Sequence, residues 1–352
     1  MPTVLESLNS ALHRAFSDNE NVYVVGEDVL DPYGGAFKVT RGLSTQYPQR
    51  VIATPISEAG FVGLATGMAL RGLRPVVEIM FGDFVGLIAD QLINHIAKFH
   101  WMYNEQVNVP MVIRTPMGGR RGYGPTHSQT LEKHFLGIPH LKVIAPAAFS
   151  SPEGLGDPGS LLFHAILESE EPVLFIENKL QYLLPVQTQS DLKDFILTQE
   201  GDIKFSKYPS YHMSIRGAPP ANLTIAVYGY MAELAKQAVL RLAYEHEIFA
   251  ELVIPTQLSP FTTSPILDSA SRSRSLLVVE EGTYTLGWGA EVVARVAEAS
   301  HAHPIRCMRL AAGEVPIPAS RPLEAQVLPD VDDIIQAATQ IFRLTPEHKI
   351  QV

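Results

Sequence analysis

The sequence is poor in cysteine, in long apolar runs and in positive charge. Its one cysteine, Cys307, rules out a disulfide framework within the chain and fits a reducing compartment. No apolar run reaches the ~18 residues of a membrane-spanning helix, and residues 1–19 lack the basic start and apolar core of a signal peptide. A net charge of −10 argues against nucleic acid or an anionic membrane as the main partner. We therefore expect a cytoplasmic protein.

Short apolar runs alternate with helical patterns along most of the chain, and the length predicts two domains. The alternation predicts a doubly wound, mostly parallel α/β sheet with helices on both faces in residues 1–186, and a smaller α/β domain in residues 223–352. The polar, poorly periodic stretch 187–222 between them is predicted to be a linker. Residues 84–103 are predicted to form one helix, and apolar residues at helical spacing in 1–19 predict another.

Residues 54–84 carry the pattern on which the functional interpretation depends. A short strand ends in a Thr-Pro turn, and Ser57 is placed to cap a helix that begins at Glu58. Three glycines at spacings of three and four leave one helix face almost bare: Gly60, Gly63 and Gly67. A bare face predicts a closely packed neighbour, and a strand end beside a helix start is where ligands bind in open α/β sheets. On these residues alone, Glu58 is better explained as a first-turn carboxylate that the helix dipole favours.

The run Thr54-Pro55-Ile56-Ser57-Glu58 and its Gly-rich helix closely resemble the pyrimidine-binding segment of the beta subunits of thiamine-diphosphate-dependent 2-oxo acid dehydrogenases. Other pieces resemble the same family and follow in the same order: Gly26-Glu27-Asp28, Gly124-Pro125-Thr126-His127-Ser128-Gln129, Val279-Glu280-Glu281-Gly282 and Gly287-Trp288-Gly289-Ala290-Glu291. Their shared order along the chain points to one family. The resemblance is to the pyruvate, branched-chain 2-oxo acid and acetoin types, and implies a pyrimidine-binding domain followed by a transketolase-like C-terminal domain.

The resemblance implies roles for five residues near the pyrimidine of thiamine diphosphate. Glu58 matches the carboxylate that hydrogen-bonds N1′ and favours the imino tautomer, which removes the thiazolium proton. Phe84 matches the ring that stacks on the pyrimidine, and Ile56 and Glu27 match positions beside the cofactor. His127 matches the active-site histidine of the later acyl step. The alternatives are core packing for Phe84, an ordinary loop histidine for His127 and a strand-end carboxylate for Glu27.

The chain lacks the motif with which thiamine enzymes bind Mg²⁺ and the diphosphate, Gly-Asp-Gly followed at a distance by Asn. None of its Gly-Asp pairs is followed by glycine: Gly82-Asp83, Gly156-Asp157 and Gly201-Asp202. In the resembling family a separate alpha subunit carries this motif, and the subunits assemble as an α2β2 heterotetramer. The resemblance therefore implies an enzyme that is active only with an alpha subunit, which holds most of the Mg²⁺ site.

The resembling family also binds a monovalent cation, usually K⁺, through backbone oxygens. Counting along the resemblance puts these oxygens at Met111, Ala165, Ile166, Glu168 and Glu170. Because carbonyl ligands leave almost no side-chain pattern, these positions come from the alignment alone.

The implied reaction is oxidative decarboxylation of a 2-oxo acid, with acyl transfer to a lipoyl carrier on an acyltransferase partner. Two departures keep other functions open: Arg120-Arg121 stands where many relatives have small residues, and an Asp-Leu-Arg run is missing from residues 253–261. The alternatives are a thiamine-dependent carboligase or acyl-transfer subunit of a specialised pathway, and a non-catalytic structural subunit. A buried carboxylate at Glu58 would favour an enzyme, since burying one without a role costs stability.

Overall fold

Seven strands form the first sheet of the computed structural model, which describes residues 1–343 except 152, 153, 155 and 201–206. Six of them are parallel: β1 (Val22–Gly26), β2 (Val51–Ala53), β3 (Arg74–Glu78), β4 (Val112–Met117), β5 (Lys142–Ile144) and β6 (Val173–Asn178). Their order across the sheet is β5-β6-β4-β3-β1-β2, and the seventh strand comes from much later in the chain. The carboxyl ends of the parallel strands therefore meet at one edge of the sheet.

Helices cover both faces of this sheet, which makes it doubly wound. On one face, α1 (Val4–Asp18) packs against α5 (Pro158–Leu167) over an apolar core shared with the strands. The first of these begins with a capping box, in which Thr3 and Glu6 each accept the other's backbone N–H. The other face is covered by α3 (Glu58–Leu70) and by residues 82–102. The predicted helix near the N-terminus and the predicted start of the glycine-bearing helix are confirmed.

The predicted single helix over residues 84–103 is wrong. The chain instead forms three short pieces: a 3₁₀-helix (Gly82–Ile88), a π-helical turn (Gln91–Ile96) and α4 (Phe99–Met102). Its buried residues lie three apart at Val85 and Ile88, and four apart from Ile88 to Leu92. A spacing of three suits the tight 3₁₀ turn and a spacing of four suits a wider one, so contact with the core decides the local geometry.

Six strands form the second sheet: β7 (Phe195–Glu200), β8 (Ser210–Ile215), β9 (Leu223–Val227), β10 (Ala250–Pro255), β12 (Ser275–Thr283) and β13 (Arg306–Ala312). Its order is β13-β12-β9-β10-β8-β7, in which the pairings of β8 with β10 and with β7 are antiparallel and the others are parallel. The other helices are α2 (Leu43–Gln46), α6 (Met231–His246), α7 (Ser264–Ser273), α8 (Trp288–Ala299), α9 (Arg321–Glu324) and α10 (Val331–Arg343). The predicted fold class, two mostly parallel α/β sheets, is confirmed.

The stretch predicted to be a linker, 187–222, contains strands β7 and β8 of the second sheet. Phe195 and Leu197 are buried while the residues after each of them are exposed, which is the alternation of a half-buried strand. The surrounding polar residues hid this short pattern in the sequence. Residues 201–206 of the stretch, like 344–352 of the predicted second domain, lie outside the described residues.

One strand joins the two sheets. β11 (Gln257–Ser259) follows the second-sheet strand β10 in the chain but pairs antiparallel with β5, at the edge of the first sheet. The apolar core is also continuous, because Tyr228 and Trp288 belong to the same buried cluster as Val25 and Val77. The two halves of the chain therefore share both a sheet and a core.

Candidate active site

Two carboxylates meet where β1 ends and α3 begins. Glu27 directly follows β1, and Glu58 is the first residue of α3; they are 7% and 8% exposed. Among the described residues, Oε1 of Glu27 is buried without a hydrogen-bond partner. Burial, and then the negative charge of Glu58, raise the pKa of Glu27. The fold thus places two acceptor groups side by side at the sheet edge where ligands bind in this architecture.

The rest of helix α3 is divided into a buried and an open face. Ser57 stands at the N-cap, but its side chain makes no capping hydrogen bond, so the predicted side-chain cap is wrong. A Cβ on Gly60 would lie 2.8 Å from Ser57 Oγ, which shows that this hydroxyl leans over the helix instead. Within the described residues, a Cβ on Gly63 or Gly67 would meet no atom within 4 Å. The close neighbour predicted for the glycine face is therefore not supplied by the described part of this chain.

The ring of His127 packs against Phe81 and Phe84, which lie at the start of the 3₁₀-helix that follows β3. Its ring centroid is 4.7 Å from that of Phe81 and 5.3 Å from that of Phe84, both edge to face. Its Nδ1 is 3.0 Å from the hydroxyl oxygen of Thr126. The structure thus brings His127 and Phe84 together, and both are half-buried. Ile56, by contrast, is 85% exposed just before α3 and is free to contact a ligand or a second chain.

The loop that carries His127, residues 118–129, is held by both halves of the protein. From the second sheet, Glu281 accepts the backbone N–H of Gly119 at 2.7 Å. From α9, Glu324 accepts the N–H of Arg120 at 2.7 Å. From the first half, Asp83 Oδ1 accepts the side-chain amide of Gln129 at 2.9 Å. Three buried or half-buried carboxylates therefore fix the backbone of this loop, and with it the position of the imidazole.

Lys179 is a functional candidate that the sequence interpretation missed. It follows β6 directly, is fully buried, and donates from Nζ to the carbonyl oxygen of His127 at 2.7 Å. Its ammonium lies 5.4 Å from the centroid of the Phe81 ring. Burial lowers its pKa to about 8, although the charges of Asp83 and Glu281 act in the opposite direction. A charged residue directly after a buried parallel strand was the available signal, but nothing local indicated its burial.

The positions expected to hold a monovalent cation lie around the end of α5. Arg74 donates to the carbonyl oxygen of Ile166 at 3.0 Å and forms an ion pair with the carboxylate of Glu170. The carbonyl oxygen of Met111 accepts the backbone N–H of Val173 at 2.9 Å in the sheet. Glu168 caps α5 and pairs through its side chain with His164 and Lys207, and Ala165 is buried within the helix. Several of the expected ligands are therefore already engaged by protein donors.

A second acidic cluster lies between the two halves of the chain. Glu132 and Glu280 are both fully buried, and Tyr228 donates its phenolic O–H to Glu132. Burial, and then the charge of Glu132, raise the pKa of Glu280 to about 7. The Glu280 carboxylate also accepts the backbone N–H of Gly289 at 3.0 Å. Through Glu132, which follows the loop 118–129, this cluster links the first half of the chain to β12 and α8 of the second.

The groups near Glu58 fit an aminopyrimidine better than a metal ion. Buried acceptors without donors, as at Glu27, suit a ligand that brings its own N–H groups. A half-buried aromatic ring, as at Phe84, suits a flat heterocycle. In the part of the chain that the structure describes, no three His, Cys, Asp or Glu side chains come together as a metal site. These acceptors and the aromatic ring thus fit the pyrimidine end of thiamine diphosphate.

Two known protein families match this chain, one in each half. The family described as "Transketolase, pyrimidine binding domain" matches residues 1–183, and "Transketolase, C-terminal domain" matches residues 217–334. The chain therefore belongs to the transketolase-like family. A solved structure titled "Split gene transketolase, inactive beta4 tetramer" has the same fold, with a TM-score of 0.72 and 19% identity over 98% of this chain and 99% of that chain.

Full-length relatives then define the group within that class. The chain is 35% identical to pyruvate dehydrogenase E1 component subunit beta-1, mitochondrial, of Arabidopsis thaliana, over 96% of this chain and 88% of the relative. Identity to the corresponding beta subunit of Rickettsia conorii is 31%, over 96% and 98%. Identity to the acetoin:2,6-dichlorophenolindophenol oxidoreductase subunit beta of Bacillus subtilis is 32%, over 96% of each. The predicted resemblance to beta subunits of thiamine-dependent 2-oxo acid dehydrogenases is confirmed.

None of the described helices has both the length and the apolar character that crossing a bilayer requires.

Proposed function

We propose that the chain is the beta subunit of a thiamine-diphosphate-dependent 2-oxo acid dehydrogenase. Its reaction is the oxidative decarboxylation of a 2-oxo acid, with acyl transfer to a lipoyl carrier on an acyltransferase partner. The observation that carries this proposal is the pair of buried neighbouring carboxylates, Glu27 and Glu58. Such a pair costs folding free energy, and a purely structural subunit gains nothing from it.

Each site residue has a distinct task in this proposal. Glu58, Phe84 and Ile56 would hold the pyrimidine of thiamine diphosphate, which would supply the nucleophilic carbon that the decarboxylation of a 2-oxo acid needs. Glu58 holds a proton at pyrimidine N1′ and so sets the tautomer, while Glu27, beside it, offers a buried acceptor to the ligand. Phe84 and Ile56 supply apolar contact to the pyrimidine ring. His127 moves a proton in the acyl-transfer step, with its backbone carbonyl held by Lys179.

A partner subunit completes the site. The missing Gly-Asp-Gly motif assigns Mg²⁺ and the diphosphate to an alpha subunit, so the chain is active only in an α2β2 heterotetramer. The open face of α3 supports this proposal, since Gly63 and Gly67 leave room for another helix to approach closely. The acidic composition and single cysteine support a cytoplasmic location.

A K⁺ site at Met111, Ala165, Ile166, Glu168 and Glu170 remains part of the proposal, against the competition of Arg74. If K⁺ binds there, the melting temperature in KCl will exceed that in choline chloride at equal ionic strength. Equal melting temperatures in the two salts would mean that these oxygens bind Arg74 and the sheet, and do not bind K⁺.

The decisive experiment uses the complex assembled from this chain and its alpha subunit. Glu58→Gln keeps the shape of the side chain but removes the group that holds a proton at N1′. We expect turnover of 2-oxo acids, measured with a dye as electron acceptor, to fall roughly 10²–10⁴-fold. The melting temperature should stay close to that of the parent. Glu298→Gln, an exposed change of the same chemistry on α8, serves as the matched control and should leave turnover unchanged.

Each of the other outcomes would contradict one part of the proposed function. A Glu58→Gln complex that melts early makes the carboxylate structural. A folded variant that turns over within threefold of the parent removes the assignment of Glu58 to the cofactor. A parent complex that joins 2-oxo acids to aldehydes, and does not reduce a lipoyl carrier, identifies the carboligase. A complex that processes no 2-oxo acid leaves only the structural subunit.

A further inference from the structure

The two adjacent arginines of the active-site loop lie in different surroundings. Arg120 is tied to the second half of the chain, because its backbone N–H donates to Glu324 and its guanidinium donates to the carbonyl of Pro329. Arg121 instead turns towards the first half. Its guanidinium donates to the carbonyl oxygen of Lys179 at 3.2 Å and reaches only a long 3.5 Å contact with the hydroxyl of Tyr123. The first arginine therefore anchors the loop, whereas the second has donors to spare.

Arg121 lies one side chain away from the His127 cluster. Lys179, whose carbonyl it contacts, donates to the backbone of His127. Tyr123, its other neighbour, has its ring 6.1 Å from that of Phe81, which packs on the imidazole at 4.7 Å. Tyr123 is 43% exposed and Arg121 is half-buried. The guanidinium thus sits at the rim of the candidate active site, within reach of a ligand that extends outward from His127.

The charge of Arg121 has no ion-pair partner among the described residues. The carboxylates that hold the loop are already engaged. Glu324 accepts the backbone N–H groups of Arg120 and Gly122. Glu281 accepts the backbone N–H of Gly119 and the side-chain amide of Asn178. One side of the guanidinium is partly covered by Phe37, whose ring centroid is 5.6 Å from its central carbon. Partial desolvation strengthens the attraction of an arginine for an anion, and its planar donors match carboxylate and phosphate oxygens.

We propose that Arg121 is a specificity-determining residue, which binds a second negatively charged group on the substrate, distal to the reacting carbonyl. This inference rests on the proposed function, and narrows it to 2-oxo acids that end in a carboxylate or a phosphonate-like group. A site for a purely apolar 2-oxo acid gains nothing from a half-buried, unpaired cation at its rim, because burying charge without a partner is costly. The two acid types share the chemistry that Arg121 recognises.

The test compares three substrates of similar length on the assembled complex: 2-oxopentanoate, 2-oxopentanedioate and 2-oxo-4-phosphonobutanoate. We expect kcat/KM of the parent to favour at least one of the two acids with a terminal anion by tenfold or more. In Arg121→Gln this preference should fall roughly 10- to 100-fold, mainly through KM, while kcat/KM for 2-oxopentanoate stays within threefold. Arg121→Lys keeps the charge without the planar fork and should recover part of the preference. Arg41→Gln, an exposed change of the same kind, should change none of the three.

The outcomes separate this inference from the proposed function. If the parent complex favours 2-oxopentanoate over both acids with a terminal anion, the inference is wrong whatever the variants do. If the preference exists but survives in Arg121→Gln, another residue carries it and the inference is equally wrong. If the complex turns over no 2-oxo acid, the proposed function itself fails. Whether the carboxylate or the phosphonate is preferred identifies the terminal group.

Discussion

At the residue scale, the site depends on charges that the fold removes from water. Glu27, Glu58 and Lys179 each follow the end of a strand or begin a helix, and all three are buried. The charge of Glu58 acts on Glu27, and the charges of Asp83 and Glu281 act on Lys179, through a poorly screened interior. Lys179 offers the clearest measurement, because its buried ammonium touches the backbone of His127 directly.

The low pKa of Lys179 makes stability depend on pH. In the folded protein this pKa is about 8, whereas the unfolded chain retains an ordinary lysine pKa of about 10.4. Between these pH values the unfolded chain holds a proton that the folded protein has released, so this group favours folding more as pH rises. Relative to Lys179→Met, the free energy of unfolding of the parent should therefore increase from pH 8 to pH 10, by at most about 1.4 kcal/mol per pH unit. If urea melts give the same difference in unfolding free energy between the parent and Lys179→Met at pH 8 and at pH 10, the lowered pKa of Lys179 is contradicted.

At the element scale, Glu280 joins β12 to the start of α8, and its effect on stability changes with pH in the opposite direction to that of Lys179. The pKa of Glu280 is about 7 in the folded protein and about 4.3 in the unfolded chain. Between these values the folded protein holds a proton that the unfolded chain has lost, so stability falls as pH rises through this window. We expect the melting temperature of the parent to drop relative to that of Glu280→Gln between pH 5 and pH 7. Glu298→Gln, exposed on α8, should track the parent at every pH; if Glu280→Gln tracks it too, the cluster is not titrating.

Helix α3 gives a second test at this scale. A Cβ at Gly63 meets nothing within 4 Å in the described residues, so Gly63→Leu should not disturb the chain itself. Replacing a helical glycine should even stabilise it, by up to about 1 kcal/mol. The added side chain should instead block a neighbouring subunit, and sedimentation should show weaker association with the alpha subunit or with a second copy. Ala294→Leu, an exposed change on α8, should leave association intact. Undiminished association of Gly63→Leu would mean that this face stays open to solvent.

Sequence reasoning succeeded where the signal was local. The alternation of strands and helices predicted two mostly parallel sheets, and the strand-turn-helix pattern around Glu58 predicted the start of α3. It failed where long-range packing decided the outcome. The break after Ile88 follows from contact with the core. Lys179 is buried by residues of both halves of the chain. The pairing of β11 with β5 involves three residues that have no distinctive sequence pattern. The roles of Glu58, Phe84 and His127 stay predictions until the variants are measured.

At the scale of the whole molecule, the proposed function divides the cofactor site between this chain and an alpha subunit. The described residues supply acceptors for a pyrimidine, and the sequence lacks the Gly-Asp-Gly motif with which thiamine enzymes bind Mg²⁺. We therefore expect titration calorimetry with thiamine diphosphate and Mg²⁺ to give a Kd well above 1 µM for the chain alone, that is, binding weaker than about −8 kcal/mol. Addition of the alpha subunit should tighten it by orders of magnitude. Submicromolar binding by the chain alone would contradict the shared site.

The first sheet cannot be completed until β11 has been synthesised. The first sheet receives its last strand only after the ribosome has passed Ser259, long after β5 has emerged. Until then the backbone N–H and C=O groups along the outer side of β5 have no partner, and an open strand edge is a template for wrong pairing. If the gene were divided at the start of the second domain, the N-terminal product would lack β11, and the outer edge of β5 would stay unpaired. Binding of a chaperone or of a partner subunit at this edge would prevent wrong pairing until β11 arrives.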